Sequence, residues 1–166
     1  MSQRHPSDST EQQLAEALVL SAVNAKHQVS MAPGRVELGA GGCIDLDGID
    51  RHRRYMCEIY CRIGTLKPAQ AHKVSSDILK LSLAEKQLEG AWTKLIIFID
   101  AQAHASVAGR SWRSAAAVQH GVEFVVVDLP SGTREGILAA QARQIGGSAG
   151  SGVLMPNTSL ERTRER

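Results

Sequence analysis

"CIDLDGIDRHRRYMCEIYCRIGTLKP", residues 43–68, sets two short apolar runs on either side of a basic tip and seeds both with acids. "CIDL" alternates apolar and acidic side chains, and "YMCEIYCRI" is rich in aromatic and β-favouring residues. The pair reads as an antiparallel hairpin joined across "DGIDRHRR". Side chains alternate faces along a strand, so Ile44 and Leu46 share one face and Asp45 and Asp47 the other. In the partner strand Cys57, Ile59, Cys61 and Ile63 lie opposite Met56, Glu58, Tyr60 and Arg62. If burial turns the two apolar faces to the same side, Asp45, Asp47 and Glu58 gather together on the other. A pairing that sets Asp45 directly across from Glu58 has the right parity.

Upstream, "VEL" is a further short strand, followed by the glycines of "GAGG". "STEQQLAEALVLSAVNAKHQ" is expected to be a helix with Leu14, Leu18, Ala22 and Ala25 on one face, started by Ser9 or Thr10 with Gln12 or Gln13 as a capping box. "MAPGR" should be the turn that ends it. Downstream the period changes. Pro68 suits a first helical turn, Ala71, Val74, Ile78 and Leu81 follow at helical spacing, and Lys73, Asp77 and Lys80 form a polar stripe. "KLIIFID" and "EFVVVDLP" have the continuous apolar character of strands buried on both faces, with "SVAGRSWRSAAAVQH" as the crossover helix, weakened in its middle by Gly109. "SGTREGILAAQARQI" is a last helix. The expected fold is α/β, a mixed central sheet in the order α-β-β-β-α-β-α-β-α. Residues 10–145 should form a single domain, with flexible ends at 1–9 and 146–166.

A chain of 166 residues supports one sizeable core. No apolar run approaches the roughly 20 residues that span a bilayer and the N-terminus is polar, so a soluble, cytoplasmic protein without membrane partners is expected. Cys43, Cys57 and Cys61 are odd in number and sit in strand-like contexts, as expected of buried reduced thiols. Cys57 and Cys61 would stand roughly 13 Å apart in a strand, too far to share zinc. Between Arg51 and Lys80, seven Lys or Arg face two acids, so this segment carries +5 while the whole chain is +2. Such a local field suits phosphate backbones, and it equally suits a solvated tip and helix face.

Clustered carboxylates repel unless something positive stands between them. A hard divalent ion with carboxylate and water ligands is one occupant of such a corner. A salt-bridge network through Arg35, Arg62 or Lys73 is the other.

The arrangement resembles the PD-(D/E)xK nuclease superfamily, the restriction-endonuclease-like fold. The resemblance covers roughly Glu11 to Asp128. It rests on the α-β-β-β-α-β order, an aspartate at the second strand, an acid in the middle of the third, and a helix soon after. It implies a Mg²⁺-dependent phosphodiesterase acting on DNA. Asp45 would stand for the aspartate with Asp47 competing, Glu58 for the (D/E), and Glu16 for an auxiliary acid of the first helix. The motif lysine is replaced by Tyr60 in "EIY", and no proline precedes Asp45. Lys73 or Lys67 would supply the positive group, and "AQAHKVSSDILKL" loosely resembles the supporting helix of restriction-type nucleases. Arg51, Arg53, Arg54, Arg62 and Lys67 are the expected nucleic-acid contacts, and a homodimer is a further expectation.

Two alternatives stay open. Tyr60 in place of lysine suits a catalytically silent binding or interaction module of the same fold. Asp100 and Asp128, ending two parallel strands, suit a Rossmann-like nucleotide or signalling domain, unless each simply caps the next turn. Trp112 and Tyr55 could stack on bases, although core packing is the commoner use.

Overall fold

Each strand of the sheet lies beside its neighbour in the chain. The computed structural model describes residues 10–39 and 41–147. The elements are α1 (Thr10–His27), β1 (Ala32–Glu37), β2 (Cys43–Asp50), β3 (Tyr55–Tyr60), α2 (Pro68–Leu88), β4 (Thr93–Phe98), α3 (Ala101–Ala105), α4 (Trp112–Gln119), β5 (Val122–Val126) and α5 (Ser131–Gly147). They build one five-stranded sheet in the order β1-β2-β3-β4-β5. The first three strands are antiparallel; β3-β4 and β4-β5 are parallel. The mixed α/β sheet with helices on both faces is therefore the observed architecture, with the crossover between β4 and β5 made of two helices. Gly109, at φ +74°, sits in the break between them. Of the expected flexible ends, residues 1–9 (with Ser9 of the capping box) and 148–166 lie outside the described residues, and α5 runs to Gly147.

The sheet separates two apolar layers. Ile44, Leu46, Ile49, Met56 and Tyr60 pack with Val74, Ile78 and Leu81 of α2 on one side. Cys57, Ile59, Leu95 and Ile97 pack with Ala15, Val19 and Val23 of α1 and Ile137 of α5 on the other. This corrects the parity expectation. With a helical layer on each side, the two apolar faces of the hairpin need not coincide, and they do not.

A bulge also intervenes. Ala32 pairs with Ile49 and Gly34 with Leu46, so Asp47 and Gly48 stand opposite the single residue Pro33. Hence β1 starts earlier than "VEL" and takes in Pro33 and Gly34, as an edge strand can. Gly34 is needed there because a Cβ would lie 2.5 Å from Cγ2 of Ile49. Strand β2 runs to Asp50, whose carboxylate accepts the Ser30, His52 and Arg53 N–H groups and so closes the turn at Arg51–Arg54.

Several smaller expectations change. In α1 the face of Ala15, Val19 and Val23 meets the sheet, and Leu14, Leu18, Ala22 and Ala25 are exposed, because the small and β-branched side chains let the helix approach closely. Strand β5 is a half-covered edge, so β4 alone of the two parallel apolar runs is buried on both faces. Trp112 is exposed beneath the Arg113 guanidinium at 4.6 Å rather than in the core. Cys43 is exposed, Cys57 buried and Cys61 half-buried, all as free thiols. No described helix is long and apolar enough to cross a membrane.

Candidate active site

The bulge makes β2 and β3 part company. Their ladder holds Asp50↔Tyr55, Ile49↔Met56 and Gly48↔Cys57 and goes no further, whereas β3 pairs along its whole length with β4. Beyond the last pair the Ile59 N–H donates instead to Oδ2 of Asp47, at 2.8 Å. A side-chain oxygen thus takes the place of a strand carbonyl at the fork, which satisfies a backbone donor that would otherwise be stranded. Along the fork runs a groove of about 720 Å³ whose walls include Asp47, Glu58, Glu16, Lys73 and Lys80.

Glu58 is 1% exposed and turns toward α2. Its Oε1 lies 2.7 Å from Nζ of Lys80, an ion pair that departs from hydrogen-bond alignment. Burial, reinforced by the charge of Asp47, pushes the Glu58 carboxyl up to about 7, against the pull of Lys80. Two residues along the strand the Tyr60 hydroxyl donates to Oδ2 of buried Asp77 at 2.5 Å. Nζ of Lys73 reaches the same oxygen at 2.9 Å and lies 4.7 Å from the centroid of the Tyr60 ring. Burial and then Asp77 raise the Tyr60 phenol above its ordinary value, so it is a fixed hydrogen-bond donor. The site gathers three acids (Asp47, Glu58, Asp77) and two lysines (Lys73, Lys80), the latter pair from one helix.

Asp45 also lines the groove, its side chain 62% exposed. Between Ile44 and Leu46 it points to the α1 side, opposite Glu58, where Arg35 binds it at 2.6 and 3.2 Å. The register that would face Asp45 with Glu58 is absent, and Asp47 takes the position beside Glu58. Glu16, which accepts from Gln12 at 3.0 Å, lies on the α1 wall of the groove. Lys67 is exposed at the cap of α2, and Lys73 is held by Asp77. Arg51, Arg53 and Arg54 belong to the hairpin tip, whose Arg54 stands about 13 Å from Glu58 at ordinary strand rise; the Arg51 guanidinium reaches back to donate to the Arg35 carbonyl at 2.8 Å, while Arg62 lies past the other end of β3. Asp100 caps α3 through the Gln102 and Ala103 N–H groups and binds Arg134, so its capping use is the one observed; Asp128 is exposed.

Sequence reasoning missed Lys80 and Asp77 as site residues. Their signal was present in the polar stripe Lys73, Asp77 and Lys80, which lies along one side of α2. A solvated stripe would be exposed; here Asp77 is 4% exposed.

Of the four carboxylates on the groove wall, Glu16, Asp45, Asp47 and Glu58, the pair beside each other at the fork is Asp47 and Glu58, whereas Asp45 is bound by Arg35. Among the described residues no three His, Cys, Asp or Glu side chains form a group that could hold a metal. Two carboxylates completed by water or phosphate oxygens fit Mg²⁺, which is seldom held by an all-protein cage. No family model, no curated protein and no solved structure matches the chain significantly.

Proposed function

We propose that this chain is a Mg²⁺-dependent phosphodiesterase of the PD-(D/E)xK nuclease type, acting on DNA. The observation that carries the reading is the convergence of Asp47 and Glu58 at the fork of β2 and β3, with a lysine 2.7 Å from the second acid. The α-β-β-β-α-β order of the first six elements supports it.

In this reading Asp47 and Glu58 hold the ion, and Glu16 lies on the facing wall as auxiliary acid. The ion, when bound, polarises the phosphodiester and acidifies a water. Lys80 takes the part of the missing motif lysine, donating from α2 toward the space beside Glu58. Tyr60, at the motif position, instead fixes Asp77 and through it Lys73, which keeps the ammonium stripe of α2 facing the groove. The carboxyl of Glu58, raised to about 7, loses its proton most readily at neutral to alkaline pH, and only the ionised form is a good ligand. The sequential strand order has no switch point of the kind that places ligands in Rossmann-like sheets, which weighs against that alternative.

One observation favours a silent binding module as the second reading: Lys80 already neutralises Glu58 without a metal. A thermal melt with Mg²⁺ or Mn²⁺ separates the two. Stabilisation of the wild type, lost in Asp47→Asn and Glu58→Gln, together with cleavage of varied DNA forms, is the expected result. No metal-dependent shift and no cleavage would leave the binding module. For DNA binding, affinity should fall steeply with salt. If neutralising Arg51, Arg53 and Arg54 leaves that slope unchanged, the hairpin tip is outside the footprint.

A further inference from the structure

Past the end of β3 a second, smaller cavity of about 200 Å³ adjoins the carboxylate groove and shares Ile59 and Lys73 with it. Arg62 and Lys73 bring positive charge to its wall, Gln12, Gln70 and Gln141 bring amides, and no acidic side chain lines it. The Nε–H of Arg62 is buried with no hydrogen-bond partner, which is costly unless an acceptor arrives. Gln70 spends its amide oxygen on the Lys67 N–H at 2.9 Å, which leaves its NH₂ group as donor. Gln141 clamps the backbone next to Arg62, accepting the Ile63 N–H at 2.9 Å and donating to the Ile63 carbonyl at 3.2 Å. Lys73 binds Asp77 with one of its three donors. Helix α2 also starts here, with no acid in its first turn to neutralise its dipole. Asp77, held by Lys73 and Tyr60, and Glu16, which accepts from Gln12, do not line the cavity, although the charges of Asp77, Glu58 and Asp47 all reach Lys73.

We propose that this cavity binds a phosphate group, with Arg62 and Gln70 as its donors and Lys73 shared with the neighbouring groove. The unspent groups of Arg62, Gln70 and Lys73 are donors, which selects a ligand made of acceptors. A guanidinium with an ammonium beside it matches the oxygens of a phosphate. The cavity is below the size usual for whole organic ligands, so it takes a group rather than a nucleoside. Free inorganic phosphate and the terminal phosphate of a nucleic-acid strand share this chemistry. The terminal phosphate is the preferred source, and that choice rests on the phosphodiesterase reading: a strand end anchored here would lay its adjoining diester along Glu58 and Lys80.

The first arm of the test uses inorganic phosphate, in a thermal melt at constant ionic strength against chloride. A rise of at least about 2 °C for the wild type, absent in Arg62→Gln, is expected. No rise, or the same rise in the variant, overturns the proposal. Should Arg62→Gln fail to fold, Lys73→Gln carries the arm, because its side chain is 58% exposed; a weakened phosphate response supports the site and an unchanged one overturns it. The second arm measures fluorescence anisotropy of 5′-phosphorylated, 3′-phosphorylated and unphosphorylated oligonucleotides in EDTA. About tenfold tighter binding of one phosphorylated end, lost in Arg62→Gln, supports the strand-end source. Equal binding of all three overturns that source, and a positive first arm then assigns the cavity to free phosphate. Both arms omit the metal, so failure of the metal-dependent reaction is read separately.

Discussion

Lys80 and Glu58 meet between α2 and β3 at 2.7 Å, the carboxylate side chain 2% exposed and the lysine side chain 29%. The acid bears most of the desolvation, whereas the lysine keeps part of its stem in water. Glu58 is therefore the group whose charge the fold resists, and its carboxyl rises from 4.5 to about 7.

Between those two values the folded chain holds a proton that the unfolded chain has released. Stability should fall as pH rises through this window, and the cost should be fully present above it. The difference corresponds to roughly 3 kcal/mol. Glu58→Gln removes the charge but leaves Lys80 without its partner, so a net gain of about 2 kcal/mol is expected at pH 8, with little change at pH 5. Urea denaturation at the two pH values measures it; an equal loss at both would contradict the account.

Lys80→Met leaves the buried carboxylate without its cation. A loss of about 3 kcal/mol at pH 8 is expected, shrinking at pH 5 as Glu58 takes up its proton. Lys73→Met should change stability by less than about 1 kcal/mol, since its head is largely in solvent and Tyr60 still donates to Asp77. If the two variants behave alike, the ranking of the lysines is wrong.

Gly48 sits in the bulge, where a Cβ would lie 2.7 Å from Sγ of Cys57 and 2.7 Å from Cδ1 of Leu20. Gly48→Ala should cost about 1–3 kcal/mol through overpacking. It should also weaken any metal response, by disturbing Asp47 next door. Gly136→Ala, in α5 with nothing within 4 Å of the added carbon, should instead stabilise by up to about 1 kcal/mol. Paired melts of the two variants compare the sites.

Asp100 accepts the Gly64, Gln102 and Ala103 N–H groups and binds Arg134. Burial alone would raise its carboxyl, but Arg134 and the three backbone donors outweigh that and hold it below the ordinary 3.8. Its contribution is present above that value and fades as pH falls through the lower folded one. Asp100→Ala should cost about 2 kcal/mol at pH 7, and the gap to the wild type should narrow below about pH 4 in acid titrations followed by circular dichroism.

Much of the architecture was legible because local patterns agreed with it. The buried face of α2 (Ala71, Val74, Ile78, Leu81) and the apolar β4 follow from periodicity alone. The candidate site was legible by residue type and only in part by position. Glu58, Glu16, Asp45 and Asp47 all border the groove, but Asp47, not Asp45, stands beside Glu58. A two-for-one bulge opposite Pro33 leaves no periodic mark, and it decides where each aspartate points. A sheet covered on both sides also removes the parity rule that one-sided burial supplies. In α1 the bulkier leucines mark a plausible face, yet close approach to the sheet selected Ala15, Val19 and Val23.

The sheet order β1-β2-β3-β4-β5 also bears on how the chain reaches its fold. Every strand docks on the edge left by the one made before it, so none must wait for a later segment or be inserted between two that have already paired. The β2-β3 hairpin closes over a four-residue turn and is the cheapest pairing to nucleate. The parallel additions of β4 and β5 each require an intervening helical segment to close first, and should set the rate. A ribosome releasing this chain from its N-terminus would present the pieces in the order in which the sheet can use them.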